Sequence, residues 1–254
     1  MKQVRAIGCI WILCLLIPMR AAHAEELKLA IANSTCAAMQ RAAALFRNTR
    51  PVDFNFTCKS SGMLAKGLRG GSLSADLFIS ANKEWMDDLV AEGLVNPNQV
   101  SSPWGNLLVV AVPRGSPLTV RRLEDLTAKP VNRILIGDPS LAPFGRHAKD
   151  ALERASLWTA LKTKIETRKN VELLAEALAS ADENTVGILL RSNLEPSIKP
   201  LFTIDPALAS PIRYYLAPLK SRDPPEALKA FLDFLRTPPA REIFLSERFE
   251  LLEK

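Results

Sequence analysis

Segments with the pattern of β-strands alternate with segments of helical pattern along most of the chain, and this alternation restricts the fold more than any other feature. Apolar or β-branched runs at 27–33, 52–58 and 75–80 are each followed by a run with helical spacing. The same order returns around the strand-like runs at 133–137 and 185–190. Strand–helix alternation is typical of α/β proteins with mostly parallel pairing. We therefore predict an α/β fold with mainly parallel sheets flanked by helices.

The first 24 residues have the pattern of a secretory signal peptide. Lys2 and Arg5 precede an apolar run at 7–18, and Ala22-His23-Ala24 is a small-x-small cleavage site. The apolar run is shorter than a comfortable membrane span. We expect a signal peptide over residues 1–24, cleavage near Ala24 and a periplasmic protein. The remaining chain suits one large domain or two lobes.

The charge of the chain argues against one class of partner. The formal net charge is +6, of which Lys2, Arg5 and Arg20 in the predicted leader contribute three charges. The excess that remains is small, and no cluster of Lys and Arg indicates nucleic-acid binding. We expect no nucleic-acid partner.

Two cysteines follow the predicted leader, Cys36 and Cys58. In an oxidising compartment, an even pair suggests a disulfide. Neighbouring parallel strands would bring the two residues together, and a bond would add roughly 3 kcal/mol. Two buried thiols are an equally good interpretation, and the sequence does not decide between them.

A pair of serines, Ser60 and Ser61, lies where a strand-like run turns into a helical one. The first N–H groups of a helix have no partner inside it, and the helix dipole adds partial positive charge there. Such a helix start, with serine hydroxyls beside it, can hold an anion without a formal counter-charge. The plainer interpretation is an ordinary serine N-cap.

Further motifs accompany the serine pair. They are Ala75-Asp76-Leu77-Phe78-Ile79-Ser80-Ala81, Glu84-Trp85-Met86-Asp87, and Ile136-Gly137-Asp138-Pro139. Together with the run from Ser60 to Lys66, these motifs resemble the periplasmic molybdate-binding proteins, the soluble receptors of molybdate ABC transporters. The resemblance covers roughly residues 27–249, and it is the combination of motifs that is specific.

The resemblance implies a two-lobed periplasmic binding protein fold of type II. With the chain order, it suggests lobe 1 at 25–106 and 211–254 and lobe 2 at 107–210. Such lobes close around a solute by a hinge motion. The family implies a monomeric receptor, not an enzyme, that captures molybdate or tungstate in the cleft between the lobes and delivers it to a membrane ABC permease. The oxyanion is held by hydrogen bonds alone, with no cofactor and no metal–protein bond.

The resemblance also implies which residues contact the oxyanion. Ser34 matches a serine after the first strand, and Ser61, supported by Ser60, matches the serine pair. Phe144 and Val171 match positions that contribute a backbone N–H. Each has a plainer interpretation: an N-cap for Ser34, a buried aromatic ring for Phe144, and a core side chain for Val171.

The chain departs from the family pattern at Leu190. The family commonly has a tyrosine there, whose hydroxyl meets the oxyanion, and leucine has no donor. Losing one hydrogen bond to a dianion costs about 1.5–3 kcal/mol. Arg191 is placed to compensate, although an arginine at such a position is more often a solvated surface charge.

Two other functions stay open. One is a secreted hydrolase or transferase, for which His147 is the one histidine after the leader; no nucleophile motif or metal-ligand spacing accompanies it. The other is a receptor or sensor of the same fold for a different anion, such as sulfate, a phosphonate or a small organic acid. Leu190 and Phe144 favour this second alternative because they make the pocket more apolar.

Overall fold

Two β-sheets, each flanked by helices, make up the protein. The computed structural model describes residues 25–140, 142–209, 211–220 and 225–252. The predicted signal peptide at 1–24 lies outside these residues.

The elements follow one another in the alternating order that the sequence predicts. The first group is β1 (Glu25–Ala32), α1 (Asn33–Arg47), β2 (Val52–Lys59), α2 (Ser61–Arg69), β3 (Leu77–Ser80), α3 (Lys83–Ala91) and β4 (Ser101–Asn106). The second is β5 (Leu108–Pro113), β6 (Arg133–Gly137), α4 (Pro143–Arg154), α5 (Trp158–Leu161), β7 (Ile165–Arg168), α6 (Val171–Ala179), β8 (Thr185–Leu190) and β9 (Ile198–Thr203). The last is β10 (Ile212–Pro218), α7 (Glu226–Phe234), α8 (Pro238–Ser246) and β11 (Glu250–Leu251).

The first sheet has the strand order β11-β4-β10-β3-β1-β2, and the second has β7-β6-β8-β5-β9. The pairs β1–β2, β1–β3, β6–β7 and β6–β8 are parallel. The chain leaves the first sheet after Asn106, enters the second at Leu108, and is back in the first at Ile212. The predicted lobe bounds stay a prediction, although these passages lie close to them.

The α/β class is confirmed, but the sheets are mixed rather than mainly parallel. The strands next to the two passages cause the difference: β10 runs antiparallel to β3 and β4, and β5 runs antiparallel to β8 and β9. Parallel neighbours in a sheet need a crossover connection, usually a helix, which brings the chain back to the edge where the first strand began. The chain enters β5 and β10 directly from the other sheet, without such a connection, and both strands run antiparallel to their neighbours.

Helices cover both faces of the first sheet. Buried side chains of α1, α7 and α8 pack on one face, around Met39, Phe231 and Phe244. Leu64 of α2 and Met86 of α3 pack on the other face. Because each parallel strand runs directly into a helix, the starts of α1 and α2 lie at the same edge of the sheet.

Cys36 and Cys58 form a disulfide, with their Cα atoms 6.0 Å apart. Cys58 lies in β2 opposite Ile31 of β1, and Cys36 follows in the first turn of α1. Of the two alternatives that the sequence leaves open, the structure therefore has the bonded one.

Within the described residues, the helices lack the combination of length and apolar character that crossing a membrane requires.

Candidate functional site

A cavity of about 60 Å³ lies between the two sheets. One water molecule needs about 10–15 Å³ on the same measure, so the space holds a solute of a few heavy atoms. All six residues that the family resemblance singles out line this cavity: Ser34, Ser60, Ser61, Phe144, Val171 and Leu190. The structure thus brings them together, while their contact with a ligand stays a prediction.

Four helices begin at the wall of the cavity. These are α1 and α2 from the first sheet and α4 and α6 from the second. Among the described residues, no side chain caps the N-terminus of α1, α2 or α4, and none of these three helices has an acidic residue in its first turn. Unpaired N–H groups and the positive ends of several helix dipoles therefore face one small space.

The serine pair is not an ordinary N-cap. Ser60 occupies the N-cap position of α2 with extended backbone, yet its side chain makes no capping hydrogen bond. The Ser61 side chain is buried, and its oxygen accepts a hydrogen bond of 3.0 Å from the backbone N–H of Ala81. Among the described residues the Ser61 hydroxyl proton has no acceptor, so it can be donated into the cavity.

Ser34 is the second residue of α1, whose N-cap position belongs to Ala32, so the N-cap interpretation is wrong for this serine as well. Its hydroxyl lies within hydrogen-bonding reach of the Tyr214 hydroxyl, which also lines the cavity. Burial raises the pKa of Tyr214, while the hydrogen bonds of its hydroxyl to Ser34 and Asn106 act in the opposite direction. Tyr214 therefore stays protonated and neutral at physiological pH.

The Asn106 side chain fixes the direction of this hydrogen bonding. Its Oδ1 accepts from the backbone N–H of Leu107 at 2.9 Å and of Ser192 at 3.4 Å. Its Nδ2 therefore donates, to the Tyr214 hydroxyl at 3.1 Å and to Ser192 Oγ at 2.8 Å. Tyr214 thus accepts from Asn106 through its hydroxyl oxygen and keeps its own proton beside the cavity.

Close backbone packing positions Phe144. A Cβ atom added to Gly145 would lie 2.3 Å from the carbonyl oxygen of Gly137, so α4 starts against the end of β6. The Phe144 ring packs over Gly137, where an added Cβ would lie 2.5 Å from it. The ring belongs to the core of the second sheet and also lines the cavity. Phe144 is the second residue of α4, so its N–H has no acceptor inside the helix.

Val171 is the first residue of α6, after the N-cap Asn170. The Asn170 side chain accepts from the N–H of Leu173 at 2.8 Å and so leaves the N–H of Val171 uncapped. The Val171 side chain is buried among core residues, in agreement with its plainer interpretation.

Leu190 and Ile212 give the cavity an apolar wall. Arg191 does not replace the donor that Leu190 lacks, because its guanidinium turns away from the cavity. Its Nε donates to the carbonyl oxygen of Arg248 at 3.0 Å, and its Nη2 lies 3.8 Å from Glu250. This arginine joins the end of β8 to β11 instead.

Polar residues that sequence reasoning did not assign to the site also line the cavity, among them Tyr214, Lys169 and His147. A tyrosine inside a strand has the pattern of a core residue, and a lysine before a helix has that of a solvated charge. The helical spacing of His147 three residues after Phe144 was the one available signal for its position.

The described residues that line the cavity include hydroxyl groups, N–H groups, His147 and Lys169, but no Asp or Glu. Among the described residues, no group of three or more His, Cys, Asp or Glu side chains comes together as a metal site. A site with donors and without carboxylates favours an anion over a cation.

Comparisons with known proteins agree with this geometry. A family model described as bacterial extracellular solute-binding protein matches residues 27–250. The chain is 32% identical to the molybdate-binding protein ModA of Escherichia coli K12 over 88% of this chain and 89% of that protein.

Two solved structures share the fold. One, from Clostridium difficile, is described as the substrate binding domain of a molybdenum ABC transporter; it has 27% identity and a TM-score of 0.76, over 91% of this chain and 100% of that one. The periplasmic molybdate-binding protein of Azotobacter vinelandii has 19% identity and also a TM-score of 0.76, over 89% of this chain and 100% of that one. The chain belongs to the bacterial extracellular solute-binding protein family.

Proposed function

We propose that this solute-binding protein captures a tetrahedral oxyanion, molybdate or tungstate, and delivers it to a membrane ABC permease. The convergence of four helix N-termini on one cavity of about 60 Å³ supports this proposal most directly. The similarity to proteins named for molybdate binding points to the same ligand. In this proposal the protein is a monomer in the periplasm, with its leader removed near Ala24.

Hydrogen bonds alone suffice for such a ligand. Hydrogen bonds from neutral donors to an ionised acceptor are about twice as strong as those between neutral groups. Beside the apolar side chains that line the cavity they gain further strength, because the local dielectric constant is lower than in water. The absence of Asp and Glu from the described lining leaves no carboxylate to repel the anion.

We assign the contacts as follows. The hydroxyl groups of Ser34 and Ser61 donate to the anion, and Ser60 supports them at the start of α2. The backbone N–H groups of Phe144 and Val171 donate from the opposite side. Leu190 contacts the anion without donating.

A different anion is the second candidate, and the apolar part of the cavity favours it. Phe144, Leu190 and Ile212 all line the site, and a small organic acid would place its carbon atoms against them. Because the chain belongs to a family of solute-binding proteins, the hydrolase or transferase alternative has no support.

Calorimetric titration of protein stripped of bound solute separates these candidates. The ligands are molybdate, tungstate, sulfate, phosphate and lactate, each at the same pH and ionic strength. The proposal expects stoichiometric binding of molybdate and tungstate, with much weaker heats for the others. Binding of lactate without binding of molybdate would replace the first candidate by the second.

A further inference from the structure

We propose that His147 couples anion capture to proton uptake, so that the imidazole becomes charged when an oxyanion enters the cavity. The inference deepens the proposed function, on which it rests. His147 lies on α4 one turn after Phe144 and lines the cavity. Its Nδ1 atom is buried and has no hydrogen-bond partner among the described residues. A buried imidazole nitrogen without a partner is costly, and a hydrogen bond to a ligand can remove that cost.

The surroundings of His147 keep it neutral while the cavity is empty. Burial lowers its pKa below the ordinary value of 6.5, Asp150 acts to raise it, and Arg146 lowers it further. Lys169, which also lines the cavity, contributes a positive charge, and Tyr214 contributes a neutral hydroxyl.

One charge beside His147 is already engaged in an ion pair. Arg146 pairs with Glu84 of α3 at 3.5 Å, which takes its guanidinium toward the first sheet. Lys169 forms no ion pair among the described residues, so its positive charge is available to attract an anion.

An oxyanion in the cavity reverses this balance. A dianion a few ångströms away favours the imidazolium form, so the pKa of His147 is higher in the complex than in the empty protein. Between these two pKa values, binding takes up one proton, and the affinity falls as the pH rises, by up to about tenfold per pH unit. Above both pKa values the affinity is independent of pH.

The titration of His147 can be followed without interference from other imidazoles, because the chain contains two histidines and the second, His23, lies in the predicted leader. A His23→Gln variant leaves His147 as the one imidazole, however the leader is processed. Its titration is followed by NMR of ¹⁵N-labelled histidine, with and without saturating molybdate, over a pH range in which molybdate stays fully deprotonated. We expect a higher pKa with molybdate. The same pKa in both samples would overturn the inference.

Affinities provide the second readout. In the parent, calorimetry in two buffers of different protonation enthalpy detects proton uptake, and the affinity for molybdate rises as the pH falls. In His147→Gln the uptake and the pH dependence disappear. Lys169→Gln is the matched control, since it removes a cavity charge other than that of His147: affinity falls at every pH, while the slope remains.

The outcomes distinguish this inference from the proposed function. Binding of molybdate with a flat pH profile in the parent overturns the role of His147 and leaves the receptor function intact. A parent that binds none of the tested oxyanions at any pH overturns both.

Discussion

The backbone N–H of Ala81 donates to the hydroxyl oxygen of Ser61 at 3.0 Å. Ala81 follows β3 and Ser61 begins α2, so this bond joins two neighbouring segments of the first sheet at the cavity. It holds the serine side chain in one orientation and directs its proton away from Ala81. A donor that is fixed before the ligand arrives loses little entropy on binding.

Replacing Ser61 tests the importance of this donor. We expect Ser61→Ala to weaken molybdate binding by about tenfold to a hundredfold, the equivalent of 1.5–3 kcal/mol for a hydrogen bond to a charged group. Ser72→Ala is the control, because Ser72 is exposed beyond the end of α2 and away from the cavity lining. Titration calorimetry measures both; equal affinities for the Ser61 variant and the parent would show that its hydroxyl does not contact the anion.

Val171 allows a test of a backbone donor. Proline is well tolerated at the first position of a helix, and the preceding Asn170 has the extended backbone that proline requires of its neighbour. We expect Val171→Pro to keep the fold and to lower oxyanion affinity by at least about tenfold, because it removes the N–H. Val171→Ala retains the N–H and should bind nearly as the parent does. Titration calorimetry measures the affinity of both variants, and thermal unfolding checks that both are folded. Similar affinities for Val171→Pro and Val171→Ala would contradict the assigned contact.

Leu190 allows the missing hydroxyl to be restored. We expect Leu190→Tyr to bind molybdate about tenfold to a hundredfold more tightly than Leu190→Phe. The two rings occupy similar space in the cavity, so the comparison isolates the hydroxyl from the steric effect. If both variants bind alike, the tyrosine hydroxyl does not reach the anion from this strand.

Gly145 tests the packing that places α4. An added Cβ would lie 2.3 Å from the carbonyl oxygen of Gly137, and backbone atoms cannot move aside cheaply. We expect Gly145→Ala to lower the free energy of unfolding by about 1–3 kcal/mol or more. At Gly115 an added Cβ meets nothing within 4 Å, so Gly115→Ala should have nearly the same Tm as the parent. Scanning calorimetry compares their Tm values, and equal values for the two variants would refute the close approach.

His147 gives the empty protein a pH-dependent stability. Its pKa is lowered in the folded chain, mainly by burial, so the unfolded chain binds more protons below the ordinary pKa of 6.5. Its contribution is therefore complete above the unfolded pKa and is lost as the pH falls toward the folded pKa, by at most about 1.4 kcal/mol per pH unit.

Urea unfolding at a series of pH values, without anion, measures this effect. Carboxyl groups also titrate on acidification, so the comparison with His147→Gln isolates the histidine. We expect the parent to lose more stability than the variant between neutral pH and mildly acid pH. Parallel curves would mean that the imidazole titrates alike in the folded and unfolded chains.

The sequence predicts the alternating elements well because their signals are local. Buried strands such as β6 and β8 are continuous apolar runs, and α1 has an apolar stripe. The strands β4 and β9 were missed because Pro103 and Pro200 interrupt them. Both lie at or beside a sheet edge, where a missing N–H is tolerated.

The site was predictable only in part, for a physical reason. Helix starts leave a signature in neighbouring residues, and the family motifs located Ser34, Ser61 and Phe144 around what proves to be one cavity. Tyr214 reaches the same space from β10, which is remote from these motifs along the chain. Only the strand order brings it beside Ser34, and no local pattern encodes that order.

The disulfide gives this receptor a dependence on the compartment in which it matures. Cys36 lies two residues after Ser34, and Cys58 lies two residues before Ser60. One covalent bond therefore braces both segments that carry the serines of the first sheet. A chain held in a reducing compartment would lack this brace, and the two serine segments would be joined covalently only after oxidation.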